Sequence, residues 1–124
     1  MFKRLRAGAI LVVLVAALGL GACDPGSSSP NPAEDAIRQS FGPIADQAMR
    51  VAQCESGMDP AAVSPGGGNW GLFQINTIHA GEFAAVTGRP FYNDALDAYA
   101  NASYAAFLYN QAGGWGPWSC RWAA

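Results

Sequence analysis

Residues 54–76 read CESGMDPAAVSPGGGNWGLFQIN. A carboxylate stands at the head of this stretch, a turn-rich passage follows, and a strip of apolar and amide side chains closes it. Just before it, residues 43–54 carry apolar side chains at helical spacing (Ile44, Ala48, Val51, Ala52), which predicts an amphipathic helix. Pro43 suits its first turn and Gly57 its exit. Glu55 then falls in the last helical turn, where the negative end of the helix dipole opposes its ionisation. A carboxyl that keeps its proton can serve as a general acid. A glutamate at a helix end is by itself most often a solvated group, so its neighbours must decide. Residues 58–70 hold two prolines and three consecutive glycines and cannot be regular helix. Residues 72–76, read alone, suggest the start of a buried helix, with Leu72 and Ile75 in the core.

Three segments stand in order: Cys54-Glu55-Ser56-Gly57, Gly71-Leu72-Phe73-Gln74-Ile75-Asn76 and Gly114-Trp115-Gly116-Pro117-Trp118. Together they resemble the lysozyme-like superfamily, in particular the soluble lytic transglycosylase catalytic domain, over residues 41–120. A glutamate between a cysteine and Ser-Gly is also similar to the short resuscitation-promoting factors, which are secreted wall-cleaving proteins. The resemblance implies a mainly α fold, with a loop or short β-hairpin forming one wall of a cleft. It makes Glu55 the catalytic acid. It also implies that Ser56 orients Glu55 or touches the glycan, that Phe73 lines the subsite floor, that Gln74 bonds sugar or peptide groups and that Asn76 lies further along. Trp70 either stacks on a sugar ring or covers the core. Trp115 is expected to pack on Glu55 and, with a disulfide, to keep it protonated. The tyrosine-bearing segment that typical soluble lytic transglycosylase domains place after the tryptophan motif is not found in this sequence.

Asn69 departs from the animal-type lysozyme pattern, which has an aspartate there as second catalytic carboxylate. An amide cannot act as nucleophile, and a retaining glycosidase needs two carboxyl groups about 5 Å apart. The resemblance therefore favours a lytic transglycosylase, in which one glutamate serves as acid and then base and the product ends in a 1,6-anhydro sugar. A hydrolytic muramidase stays open if Asp59, Glu82, Asp94 or Asp97 faces the cleft at about 6.5–9.5 Å from Glu55. A non-cleaving wall-binding lipoprotein using the same groove is the reading from another class. His79, the single histidine, is expected to be structural or at the surface.

Residues 1–22 read as a targeting segment. Lys3, Arg4 and Arg6 precede an apolar run over residues 10–20 that is short for a membrane span. Leu20-Gly21-Ala22-Cys23 resembles a bacterial lipobox, which implies cleavage before Cys23, acylation of that cysteine and a lipid anchor on a membrane facing the cell wall or periplasm. Residues 23–32 form a linker of Pro, Gly, Ser, Asn and Asp after the lipidated cysteine, able to reach roughly 25 Å. Residues 33–124 are left for one domain. From Cys23 onward nine acidic residues face four arginines (Arg38, Arg50, Arg89, Arg121), a formal charge of −5. That balance argues against nucleic acid and against electrostatic recruitment to an anionic surface. Peptidoglycan strands are the implied partner of a monomer. If Cys23 carries lipid, Cys54 and Cys120 remain as a pair in an oxidising compartment. A Cys54 nucleophile would need a histidine partner, and nothing near it resembles a protease signature. No metal-ligand cluster and no cofactor motif is present in the sequence.

Elsewhere, Asn31, Pro32 and Glu34 open a short helix to about Phe41. Residues 82–89 read as a short helix ending at Gly88, with a loop through Pro90. Residues 94–111 read as the longest helix, with a stripe of Leu96, Ala100, Ser103, Phe107 and Leu108, and Asp97 with Asn101 and the alanines after them resembles the lysozyme-like family's Asp-x-x-x-Asn turn into its core helix. Tyr99 and Tyr104 are expected to be half-buried.

Overall fold

A computed structural model describes residues 31–124. The targeting segment, Cys23 and all but the last two linker residues lie outside them. Helix α1 (Pro32–Phe41) starts where the sequence calls for it: the Asn31 side chain accepts from the Ala33 N–H at 3.0 Å, and Pro32 occupies the first turn. Gly42–Ile44 forms one 3₁₀ turn that leads into α2 (Ala45–Ser56). Gly57, left-handed at φ 66°, ends α2 by donating to the carbonyls of Ala52 and Gln53, a turn that costs a glycine nothing in Cβ strain.

The stretch after α2 folds into a two-stranded antiparallel hairpin, β1 (Asn69–Trp70) and β2 (Ile75–Asn76), with Asn69 opposite Asn76 and Trp70 opposite Ile75. Residues 72–76 thus do not start a helix. Gly71 (φ 78°) and Gln74 (φ 48°) are both left-handed, which turns the chain back on itself, and Leu72, Phe73 and Ile75 are buried in that turn and return strand. The burial expected of Leu72 and Ile75 holds, but the periodicity of a five-residue apolar run does not separate a tight turn from a helix.

Helix α3 (Ala80–Thr87) ends at left-handed Gly88. The loop expected around Pro90 contains a single-turn helix, α4 (Phe91–Asp94). Helix α5 (Ala98–Ala112) begins four residues later than read from sequence, because Asp97 accepts from the Ala100 N–H and caps it. Its buried face is also different: Ala98, Ala100, Asn101, Ala102, Tyr104, Ala105 and Leu108 are covered, while Ser103 and Phe107 are exposed. Alanine supplies most of that face and carries little contrast in hydropathy, so the heavier side chains misled the pattern. Helix α5 runs through the middle, packed on α1 and α3, with Tyr104 fully buried and Tyr99 exposed. The fold is mainly helical. One disulfide, Cys54–Cys120, closes it with Cα atoms 5.9 Å apart, and no described helix is long and apolar enough to cross a membrane.

Candidate active site

Glu55 sits in the last turn of α2 and faces a cleft of about 400 Å³. The hairpin supplies one wall through Asn69, Gln74, Ile75 and Asn76, followed by Ile78 and His79; Leu108 of α5 and Pro117, Trp118 and Ser119 supply the rest. One carboxyl oxygen of Glu55, Oε1, accepts from the main-chain N–H of Cys120 at 2.9 Å.

Glu55 is the only carboxylate in that lining among the described residues. The other acids weighed from sequence have work elsewhere. Asp59 accepts from the Ala61 N–H, and Asp94 and Asp97 both pair with Arg89 at 2.8 and 3.2 Å. Glu82 accepts from the Tyr104 hydroxyl at 2.6 Å and from Gln111 at 3.4 Å. Hydrogen bonding from Tyr104 holds the Glu82 carboxyl below its ordinary range. Burial, then the bond to Glu82, pushes the Tyr104 phenol well above its own. The hairpin's share of the lining includes the amides of Asn69, Gln74 and Asn76. Asn76 Nδ2 donates to Asn69 Oδ1 at 3.0 Å, and the Asn69 N–H donates to Ser64 Oγ at 3.0 Å. Gln74 is pinned in its left-handed conformation because Nε2 donates to the carbonyls of Gly71 and Ala62 at 2.9 and 3.1 Å, which helps to offset the ~1–3 kcal/mol of strain such a residue carries.

Four residues expected at the substrate lie outside this lining. The Ser56 hydroxyl donates to the carbonyls of Ala52 and Leu72, so it ties the hairpin to α2. Phe73 has no exposed surface; it lies in the core, with its ring against Phe41 and Trp115. Trp70 donates through Nε1 to Gly67 and packs on Phe91 and Tyr92. Trp115 is 8% exposed, stacks on Phe41 and donates through Nε1 to Gln47. Trp118, three residues on, is the indole that borders the cleft. Two tryptophans in a glycine-rich run give no periodicity to say which one turns inward. His79 also borders the cleft, its ring 5.8 Å from that of Tyr104.

Asn101, near the start of α5, clamps the hairpin. It is the one buried polar residue among those described. Its Oδ1 accepts from the Phe73 N–H at 2.8 Å, and its Nδ2 donates to the carbonyls of Trp70 and Ala95 at 2.9 and 2.8 Å. A Cβ on Gly71 would overlap the Ala95 carbonyl and the Asn101 amide, so the glycine before the strip is fixed by this close approach. No cluster of three or more His, Cys, Asp or Glu occurs among the described residues.

The family model of a lysozyme-like domain matches residues 33–120, a span that takes in Glu55, the hairpin, Asn101 and the tryptophan segment. The chain belongs to the lysozyme-like domain family. At the level of that superfamily it is a glycosidase-like protein directed at peptidoglycan. No significant match is found among curated proteins or among solved structures. The lysozyme-like match begins at the second residue of α1 and ends at the disulfide cysteine Cys120.

Proposed function

We propose that this lysozyme-like domain is a lytic transglycosylase that cleaves the β-1,4 bond between N-acetylmuramic acid and N-acetylglucosamine in peptidoglycan, with Glu55 as its single acid and base. The observation that carries this reading is the cleft lining: among the described residues it has one carboxylate, Glu55, together with the amides of Asn69, Gln74 and Asn76. In the first step protonated Glu55 gives its proton to the glycosidic oxygen as the C1–O bond breaks. The carbonyl oxygen of the substrate's own N-acetyl group bonds to C1 and takes the positive charge. In the second step Glu55, now a carboxylate, accepts the proton of the C6 hydroxyl while O6 attacks C1 and displaces the acetamido oxygen. The product is a 1,6-anhydro sugar, and Glu55 ends protonated as it began. No water enters. General acid–base assistance of this kind contributes typically about 10²–10⁴-fold in rate.

The protein is further proposed to be exported and held to a membrane by lipid on Cys23, with the short polar linker setting the domain a small distance from the lipid surface. Support for the anchor comes from the Leu20-Gly21-Ala22-Cys23 order after a basic and then apolar segment.

The deciding experiment is mass analysis of glycan ends released from purified peptidoglycan by residues 24–124 with the disulfide formed. Anhydro-muramic ends, one water lighter than reducing ends, are expected, and Glu55→Gln should lower their release by at least about 10²-fold. Reducing ends would replace this reading with a hydrolase, and binding without cleavage, unchanged in Glu55→Gln, with a wall-docking protein.

A further inference from the structure

The two carboxyl oxygens of Glu55 are not equivalent. Oε1 accepts from the Cys120 N–H at 2.9 Å, and no other hydrogen bond to the carboxyl is formed among the described residues. In a neutral carboxyl the carbonyl oxygen is the stronger acceptor, so an amide that can only donate pairs with Oε1 as the carbonyl and leaves the proton on Oε2. Cys120 is itself firmly placed. Its sulfur is bonded to Cys54, the residue immediately before Glu55, and nearby Trp118 is 4% exposed with Nε1 donating to the Phe73 carbonyl at 3.1 Å. The donor and the acceptor of this contact therefore both adjoin one covalent bridge.

We propose that the main-chain amide of Cys120, indexed by the Cys54–Cys120 bridge, is a positioning donor that assigns the transferable proton to Oε2 of Glu55 and keeps that oxygen toward the bound glycan. This inference rests on the acid–base role proposed for Glu55. It extends to the second step as well. Once Oε2 has given its proton to the leaving oxygen, the N–H to Oε1 becomes a charge-assisted bond and strengthens. Oε2 then receives the proton of the C6 hydroxyl without rotation of the carboxyl between steps. The bridge stays oxidised throughout and exchanges no electrons.

Two double variants separate the amide from the bridge. C54A/C120A removes the bridge and keeps the N–H; C54A/C120P removes both, and Cys120 at φ −85° is near the value a proline ring requires. On solubilised glycan strands, kcat is expected to be about tenfold lower in C54A/C120P than in C54A/C120A with KM unchanged, the range of one hydrogen bond to a charged group. Equal kcat values, or a difference confined to KM, would overturn the proposal. In a companion measurement that needs no variant of either cysteine, the Cys120 amide proton of the intact protein is followed by NMR across a pH titration. It is expected to move with the ionisation of Glu55 and to stay still in Glu55→Gln; an amide that is equally still in both overturns the proposal even if C54A/C120P does not fold. Failure of the underlying reaction looks different: the amide would track Glu55 while the intact protein released no glycan ends.

Discussion

On one side of Glu55 the hairpin is held mainly by polar bonds. Asn101 clamps three main-chain groups, Ser56 holds the Leu72 carbonyl, and Gln74, Asn69 and Asn76 bond the hairpin and the loop before it. On the other side, residues 115–120 are held by rings and a covalent bond. Trp115 packs among Phe41, Phe73 and Tyr109, Trp118 packs on Phe73 and Trp115, and Cys120 is tied to Cys54. Each wall obtains its precision by a different physical route. Directional bonds to a buried amide specify a geometry by themselves, at the cost that each lost partner is expensive. Ring packing is strong but tolerates small rotations, and the segment that bears the Cys120 amide needs a covalent tie to fix its end.

The polar wall should be the most sensitive to substitution. Asn101→Leu strands the Phe73 N–H and the Trp70 and Ala95 carbonyls, and at about 1–3 kcal/mol for each buried orphan the loss should be about 5 kcal/mol in urea unfolding; a loss under about 2 would show that the clamp is not what holds the hairpin. Next, C54A/C120A should cost about 4 kcal/mol, the chain-entropy value for a loop of this length, where 66 positions separate the cysteines. Hydrogen exchange of the hairpin amides in that variant sharpens the contrast: protection should fall in residues 115–120 and persist in residues 69–76, and an equal fall would mean that the walls open as one unit. Ser56→Ala, which frees the Leu72 carbonyl, should cost about 1 kcal/mol by the same denaturation.

The smallest effect lies outside both walls, at the Tyr104–Glu82 bond. Glu82 is held below its ordinary range, so its contribution is present above the unfolded carboxyl value of about 4.3 and is lost as pH falls through the folded value. Tyr104 is pushed the other way, so its contribution is present below about pH 10 and is lost as pH rises through its folded value. The stability gap between the intact protein and Tyr104→Phe should therefore be widest near neutrality and narrow toward acid and strong base. A gap flat with pH would show that this bond is not formed in solution.

Much of this was legible in the sequence because it is local. Asn31 and Pro32 start α1, and Gly57 stops α2 one residue past Ser56, which puts Glu55 in the final turn. These are properties of neighbouring residues. The tripled glycines and two prolines likewise exclude helix before the hairpin. What could not be read depends on contacts across the chain. Gln74 takes a left-handed turn because its amide bonds Gly71 and Ala62. Trp118 rather than Trp115 borders the cleft because Trp115 is drawn into the rings around Phe41. Asn101 is marked by its resemblance, with Asp97, to the family's turn into the core helix, but its role as a clamp comes only from the approach of Gly71 and Phe73 from about thirty positions away. The Cys120 amide is still less visible, since a main-chain donor leaves no mark on residue type.

Phe73 takes part in both walls at once: its N–H is held by Asn101 and its carbonyl by Trp118. The cleft thus has a single datum from which both sides are measured, set in the main chain of one fully buried residue. Part of the chemical lining, by contrast, comes from side chains such as Ile78 and Ser119, which take no part in the bonds that hold either wall. At those positions selectivity can change while the dimension of the cleft is kept; at Asn69, Gln74 and Asn76 the two are coupled, because the same amides that line the cleft also hold its wall.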